Sequence, residues 1–249
     1  MESARGLVAN RTRSNGPDLD SGDGASLSIA AGRHGRRDAW CTAIATTLAF
    51  AAGLAIAHAV TDGFEAYTLE SARRLQALRA PASVPDLALV LADDGRTRLS
   101  GMPGRVLLVD FVYTRCPTYC VALGSVYARL QRRLAPEIAA GEVRLVSVTF
   151  DPARDGPAEL RAYRARHSAD PAGWDLGRPA RAGDVERWLA AFGVVVIPDG
   201  LGGYAHNAAV HVLGPDRKLV AILDTQDIDG IAKAARRAAG RQAVHVAAR

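Results

Sequence analysis

The sequence predicts an α/β domain, a central mixed sheet flanked by helices, preceded by one N-terminal transmembrane helix. Three observations predict this fold class. An uncharged apolar stretch lies near the N-terminus, two continuous apolar runs later in the chain have the pattern of strands buried on both faces, and segments with helical spacing alternate with them. Since strand, helix and strand are followed by further helices and a terminal hairpin, the helices are expected on both faces of the sheet.

The composition excludes several classes of protein. With 249 residues, 49% hydrophobic and 23% charged, the chain is neither disordered nor collagen-like. A single long apolar stretch excludes a polytopic membrane protein, and three cysteines are too few for a disulfide-stapled scaffold. The net charge of +5 comes from arginines scattered among acidic residues and alanines. No nucleic acid is therefore expected as a partner.

The first 60 residues divide into a tail and an apolar segment. Residues 1–38 lack a hydrophobic period and are predicted to be a disordered cytoplasmic tail. Residues 39–60 can cross a hydrocarbon core of roughly 30 Å as a helix. Arginines precede this segment and acidic residues follow it, so the positive-inside rule predicts a single-pass inner-membrane protein with its C-terminal domain in the periplasm. A cleavable signal segment is the alternative, because Ala57-His58-Ala59 resembles a cleavage site.

The rest of the chain is predicted to form a helical spacer, a compact domain and a short tail. The spacer covers residues 61–82 and its helix ends at Pro81, the domain covers 83–240, and the C-terminal tail covers 241–249. The predicted elements of the domain, in order, are a hairpin of 87–93 and 96–99, a strand over 105–113, a helix over 120–134, a strand over 142–150, helices over 157–167 and 182–192, a hairpin of 207–213 and 217–223, and a helix over 227–239.

Local residue patterns justify these elements. Asp94-Gly95 favours a tight turn between the first two strands. The strands over 105–113 and 142–150 are continuous apolar runs, as expected for strands that are buried on both faces. Pro157 suits the first turn of a helix, and Gly214-Pro215-Asp216-Arg217 suits the turn of the second hairpin.

Two cysteines directly follow a predicted buried strand. Cys116 and Cys120 are separated by three residues and open the helix over 120–134. If both lie in the first helical turns, they share a face, so their sulfurs can form a disulfide or bind one soft metal ion. The helix N-terminus favours the thiolate form. Inert buried cysteines and a structural disulfide are the alternatives, although a disulfide closing so short a loop would stabilise the fold little.

A third metal ligand must come from elsewhere in the chain. His167 ends a polar helix, where it is expected as a C-terminal cation, and His245 lies in the tail. His206 lies in a glycine-rich approach, DGLGGYAHN, from which a side chain can be presented to a site. His211 lies in an alternating strand and is the alternative to His206.

Three segments together resemble the Sco (SenC-type) copper-protein family. LLVDFVYTRCPTYC resembles the strand that leads into its Cys-Pro-x-x-Cys turn, VSVTFDPARDGPAEL resembles its D-P-x-x-D loop, and YAHNAAVHVLGPDRKLV resembles its metal-ligand histidine and terminal hairpin. The resemblance covers about residues 83–240 and implies a thioredoxin-like fold. It also implies that Cys116, Cys120 and His206 are copper ligands.

The sequence departs from the family's pattern next to these ligands. Thr118 stands where the family usually has an acidic residue, Val121 where it has proline, and Ala205 where it has aspartate. All three ligands are retained. The loss of charge beside the site is expected to alter the redox potential or the choice of partner.

The resemblance implies a metallochaperone that binds Cu(I) and/or Cu(II) and delivers copper to a CuA-type site of a haem–copper oxidase. Implied partners are a cytochrome c oxidase subunit or another cuproenzyme apoprotein, other copper chaperones, thiol reductants and the inner membrane. The main alternative is a thiol–disulfide oxidoreductase in which Cys116 and Cys120 form the redox pair. A peroxidase activated by Arg115 and an interaction module with a vestigial site are further alternatives. Asp155 either caps the helix at 157 or, with Asp151, belongs to the site.

Overall fold

The computed structural model of the protein describes residues 34–61, 63–116 and 119–246, and within these ranges the side chains of 34–37, 119–121 and 241–246 lie outside the description. Helix α1 (His34–Val60) contains a stretch of mean hydropathy 1.8, Asp38–Val60, that is long and apolar enough to cross a membrane. Its large apolar side chains, such as Phe50 and Ile56, are exposed, which excludes a helix buried in a protein core. The predicted tail over 1–38 lies outside the described residues as far as 33, and its last five residues belong to α1.

In the part of the chain that the structure describes, ten strands form two sheets. The strands are β1 (Ala82–Ser83), β2 (Ala88–Leu91), β3 (Arg96–Arg98), β4 (Val106–Val112), β5 (Val143–Thr149), β6 (Trp174–Pro179), β7 (Val196–Pro198), β8 (Tyr204–His206), β9 (Val210–Leu213) and β10 (Lys218–Leu223). The main sheet has the order β1-β10-β9-β4-β5-β6-β2-β3, and β7 pairs with β8 in a separate hairpin. Because β4, β5 and β6 are parallel and their neighbours antiparallel, the main sheet is mixed, as predicted.

Six α-helices among the described residues accompany this sheet. They are α2 (Leu69–Arg79), α3 (Tyr119–Arg133), α4 (Ala135–Ala139), α5 (Pro157–Arg166), α6 (Val185–Phe192) and α7 (Ile228–Val246). All residues of β4 are buried, as the continuous apolar run predicts. Apolar side chains of α3, α5, α6 and α7 join the same core, where Tyr127, Trp174 and Trp188 are fully buried. The parallel strands β4 and β5 therefore end at one buried edge, from which the loops after 112 and 149 emerge.

The structure differs from the predicted elements at six main places, of which two are the short strand β1 and the short helix α4, neither of them predicted. Strand β6, with the sequence WDLGRP, was not predicted, because Asp, Gly and Pro are poor strand formers; it pairs in parallel with β5. The short hairpin of β7 and β8 was not predicted either. Helix α2 packs against β10, so the segment predicted as a spacer over 61–82 contributes to the domain. Helix α7 continues to Val246 and takes in most of the predicted tail over 241–249.

Gly193 ends α6 in a left-handed backbone conformation, which is strained for residues that carry a Cβ atom. It has a φ of +64°, and a Cβ atom added to it would lie 2.5 Å from Cδ of Arg73. Gly141 has a similar φ of +70° but open space around the Cβ position. We expect Gly141→Ala to cost about 1 kcal/mol, from the left-handed backbone alone, and Gly193→Ala to cost about 2–3 kcal/mol because of the added overlap. Urea unfolding of the two variants measures the difference, and equal costs would contradict the tight contact with Arg73.

Candidate metal centre

The loop that follows β4 and carries Cys116, here called the cysteine loop, leaves the buried end of that strand. Cys116 is 4% exposed, and its backbone N–H donates a hydrogen bond to the carbonyl oxygen of Tyr113 at 3.3 Å, which closes a turn. Helix α3 begins only at Tyr119, so Cys116 lies in the loop before the helix, whereas Cys120 lies in its first turn. The two cysteines therefore do not share a helix face. The position of Cys120 in the first turn is one where the helix dipole favours a thiolate.

Asp155 fixes this loop to the end of β5. The carboxylate is fully buried and accepts three hydrogen bonds: from the backbone N–H of Thr114 at 3.0 Å, from the Thr114 hydroxyl at 2.7 Å and from the Thr149 hydroxyl at 2.5 Å. It does not cap α5, because the N-cap of that helix is Gly156 and the Asp155 oxygens bond to Thr114 and Thr149. Of the two roles considered for Asp155, the structure supports the one at the site.

Asp151 lies nearer the surface of the same edge. Its carboxylate is 3.6 Å from the guanidinium of Arg115 and 3.4 Å from that of Arg154. Arg154 also lies 3.4 Å from the carbonyl oxygen of Gly202, in the loop between β7 and β8. Both arginines are about half exposed, so these ion pairs contribute little to stability. The two arginines form a basic rim beside the cysteine loop. The ion pair with Asp151 directs Arg115 towards that carboxylate.

An aromatic cluster brings His206 to this edge. Ring centroids lie 5.3 Å apart for Tyr113 and Phe150, 5.2 Å for Tyr113 and Tyr204, and 5.2 Å for Phe150 and His206. These rings come from the end of β4, the end of β5 and strand β8. The Tyr113 hydroxyl also accepts a hydrogen bond from the backbone N–H of Tyr204 at 3.2 Å. The three segments that carry the family resemblance thus converge.

The environment of His206 suits a metal ligand. Burial lowers the pKa of its imidazole below the usual range, so the ring is neutral at pH 7 and can offer a lone pair. The cysteine sulfurs are soft ligands that suit Cu(I), and neutral imidazole suits both copper states. Among the residues whose side chains are described, no three His, Cys, Asp or Glu side chains gather as a metal site, and the Cys120 side chain is outside that set. The donor types of Cys116 and His206 fit copper.

His211 and His167 belong to the core. His211 is 1% exposed, with Nδ1 3.2 Å from the Val109 carbonyl oxygen and Nε2 3.5 Å from the guanidinium of Arg73. Burial, with a further effect of Arg73, lowers the pKa of His211 to about 3. His167 is 8% exposed and its ring lies 4.4 Å from that of Tyr163; burial lowers its pKa, which argues against the helix-terminal cation predicted for it.

The residues that support the site were not predicted from the sequence. Tyr113, Phe150 and Tyr204 were not singled out, although Tyr113 and Phe150 are each the last residue of a predicted buried strand. Because neighbouring parallel strands end at the same edge, this placement was a usable signal. Tyr204 could not be found in that way, since the hairpin that carries it was not predicted.

The sequence of this chain is similar to those of known proteins. The SCO1/SenC family model matches residues 77–240. A SCO1 protein homologue of Bacillus subtilis is 28% identical over 130 residues, which make up 51% of this chain and 66% of that protein. The chain thus spans just under two thirds of the length of that relative.

Solved structures of Sco proteins share the fold. BsSco, a member of the Sco family of cytochrome c oxidase assembly proteins in which a disulfide switch was identified, superimposes with a TM-score of 0.58 at 23% identity, covering 65% of this chain and 96% of that one. The copper-bound ScoI of Bradyrhizobium japonicum gives a TM-score of 0.54 at 20% identity, with coverage of 63% and 99%. These likenesses confirm the predicted thioredoxin-like fold. Since the family model covers most of the chain, this protein belongs to the SCO1/SenC family.

Proposed function

We propose that this protein is a copper metallochaperone whose ligands are the thiolates of Cys116 and Cys120 and the imidazole of His206. The observation that carries the proposal is the aromatic cluster, which holds a neutral His206 at the edge where the cysteine loop begins. Copper bound to the ScoI relative and the membership of BsSco in a family of cytochrome c oxidase assembly proteins support the choice of metal and of recipient. The recipient proposed is a CuA-type site of a haem–copper oxidase.

The three ligands would hold copper in a low-coordinate site. Such a site suits delivery, because an incoming thiolate or imidazole of the recipient can bind before the chaperone's ligands leave. Asp155 and Tyr113 would keep the cysteine loop and β8 in place during this exchange. Helix α1 would anchor the protein in the inner membrane with the domain in the periplasm.

Copper competition tests the site. The full-length protein in detergent, reduced and loaded with Cu(I) against a competing chelator, is expected to hold one copper. Cys116→Ser should lose it, and His206→Ala should weaken the affinity at least about tenfold, because an imidazole donor is removed. Cys41→Ser is the matched control: this cysteine is exposed in α1, so its replacement should change nothing. A chain that cannot retain copper against the chelator would contradict the proposal.

A thiol–disulfide oxidoreductase is the second candidate function. The pair Cys116 and Cys120 at the start of α3 favours it, and BsSco contains a disulfide switch. The two functions differ in their need for His206. A reversible Cys116–Cys120 disulfide whose potential is unchanged in His206→Ala, in a protein without competitive copper binding, would favour the oxidoreductase.

Tyr113 is expected to position His206. Its hydroxyl accepts from the backbone N–H of Tyr204 at 3.2 Å and lies 3.4 Å from the carbonyl oxygen of the same residue. Tyr113→Phe should therefore loosen β8 and lower the copper affinity by about tenfold, as is usual when the support of a metal ligand is removed. Nitrogen hyperfine coupling in the Cu(II) spectrum, together with the affinity, measures the effect.

Tyr204→Phe is the matched control for this prediction. It removes a hydroxyl from the neighbouring ring but leaves the backbone groups that bond to Tyr113. Its affinity should equal that of the unaltered protein. An unchanged affinity in Tyr113→Phe, equal to that of Tyr204→Phe, would show that the rings, rather than the Tyr113 hydroxyl, determine the position of His206.

A further inference from the structure

Two exposed apolar segments of the domain have no role in the proposed copper site. Tyr67, just before α2, and Leu69, its first residue, are 73% and 92% exposed. Val195, just before β7, and Ile197, within it, are 58% and 59% exposed. Single exposed apolar residues are ordinary. These four are of interest because they lie on neighbouring segments, and we call them the apolar patch.

Contacts between α2 and the end of α6 join the two halves of the patch. The guanidinium of Arg73 donates to the Phe192 carbonyl oxygen at 2.5 Å, and its side chain lies directly against Gly193. The Asn207 side chain continues this contact: its Nδ2 donates to the Gly193 carbonyl oxygen at 3.1 Å, and its Oδ1 accepts from the Val195 N–H at 2.7 Å. Leu69 lies one helical turn before Arg73, on the same side of α2. The two halves of the patch therefore belong to segments that meet at Gly193.

The register of the β7–β8 hairpin determines which of its residues share a face. Val196 lies opposite His206, and Ile197 lies opposite Ala205. Opposite residues share a face and successive residues alternate. His206 and Val196 thus face the domain, where Val196 packs against the core and His206 contacts Phe150. Ile197 and Ala205 lie on the outer face, which is apolar.

We propose that the apolar patch rests on the lipid surface of the membrane that α1 enters, an inference that depends on the proposed membrane anchoring. Chain connectivity carries it: Leu69 follows Val60, the last residue of the candidate span, by nine residues. Even a fully extended segment of that length reaches only about 30 Å. The segment is shorter than that, because Glu65 and Ala66 both donate to the Thr61 carbonyl oxygen in a turn. The start of α2 therefore stays within about 30 Å of the end of the candidate span, and the rest of the patch belongs to the segment that contacts α2.

The chemistry of the patch suits a lipid interface. Tyrosine is enriched at the level of lipid headgroups, and aliphatic side chains insert below it. The carboxylates described between 63 and 80 are paired: Glu70 with Arg73 and Arg74, and Glu65 with Arg79. Anionic lipids are therefore not repelled. Tethering keeps lipid at a high effective concentration, whereas a protein partner must diffuse to the patch, so the observations favour lipid.

This contact gives the copper site an orientation. The hairpin that carries His206 on its inner face would lie with its outer face on the membrane. The site would then open along the membrane surface, where the recipient site of a membrane-bound oxidase is reached by lateral diffusion. The inference deepens the proposed function by naming lipid as the second partner of the same hairpin.

Tryptophan quenching by brominated lipid tests the contact. The full-length protein with Trp40→Phe is reconstituted in vesicles of phosphatidylcholine and phosphatidylglycerol, with or without bromine on the acyl chains. Trp174 and Trp188 are fully buried and supply a constant background. Tyr67→Trp and Ile197→Trp are made singly. Arg96→Trp, on the exposed edge strand β3 at the opposite side of the sheet, is the matched control.

The added emission at positions 67 and 197 is expected to lose most of its intensity in brominated vesicles, and that at 96 to lose little. Bromine quenching at position 197 that is no stronger than at position 96 would overturn the proposal. It would also be overturned if position 197 became shielded from solvent only after a copper-recipient protein is added. Copper competition on the same samples separates the two ideas. Loss of copper binding with quenching intact would remove the proposed function alone, and copper binding without quenching would remove the lipid contact alone.

Discussion

Asp110→Asn is expected to stabilise the protein by about 2–4 kcal/mol at pH 8 and to have little effect at pH 4. Asp110 lies in β4 and is fully buried. Burial raises the pKa of its carboxyl to about 8, although the Ser147 hydroxyl nearby opposes this rise. The pair of carboxylate oxygens makes no hydrogen bond of good geometry with a described residue. Asparagine has the same shape and cannot ionise, so it removes the free-energy cost of keeping the carboxyl protonated in the folded state at a pH where the unfolded chain releases that proton.

The sign of the pH dependence follows from proton binding. The folded state keeps the Asp110 proton up to about pH 8, whereas the unfolded state releases it near the ordinary value of 3.8. Stability therefore falls as pH rises through this window. His211 acts in the opposite sense between about pH 3 and its ordinary value of 6.5, because its folded form is neutral. Between pH 6.5 and 8 the slope from Asp110 is no longer opposed by His211, and stability should fall.

Urea unfolding of the full-length protein at pH 4, 6.5 and 8 measures both effects. Asp175→Asn is the matched control, since Asp175 is also buried but bonds to the Arg144 guanidinium at 2.7 Å. That substitution should destabilise the protein at every pH by breaking a partly buried ion pair. An Asp110→Asn variant that is destabilised at pH 8 would show that the carboxylate has a stabilising partner, and it would contradict the prediction.

The sequence allowed the strands and the family to be predicted because their signals are local. In the continuous apolar runs at 105–113 and 142–150, apolar side chains point to both faces of a strand, so they leave water only when both faces are buried. Strands β4 and β5 are buried in this way. Strand β6 has no such signal: Asp175 is accommodated in it by Arg144, which comes from a neighbouring strand. A long-range ion pair of this kind is invisible in one segment of sequence.

The support of the site depends on contacts between distant residues. The sequence left open whether Asp155 caps a helix or belongs to the site, because its bonds to Thr114 join residues 41 positions apart. Tyr113 and Tyr204 are 91 positions apart. The residue Asp110, by contrast, was visible as a carboxylate within an apolar run, LLVDFVY, and that conflict between charge and burial was an overlooked signal.

Asp155→Ala is expected to have the largest destabilising effect at the site, about 3–5 kcal/mol, because it removes three hydrogen bonds and leaves the buried donors of Thr114 and Thr149 without their acceptor. The cysteine loop should then detach from the end of β5, and Cys116 should no longer be held at the site. Copper affinity is therefore expected to fall together with stability.

Asp151→Asn is the matched control, because Asp151 belongs to the same loop but bonds to half-exposed arginines. Its cost should stay below about 1 kcal/mol. Thr114→Val provides a milder version of the same test: it removes only the hydroxyl bond at 2.7 Å and should cost about 1–3 kcal/mol. Urea unfolding and Cu(I) competition are measured on all three variants. A fall in copper affinity ordered Asp155→Ala, Thr114→Val, Asp151→Asn would mean that Asp155 holds the ligand loop. Equal affinities in a destabilised Asp155→Ala protein would mean that the loop keeps its shape without it.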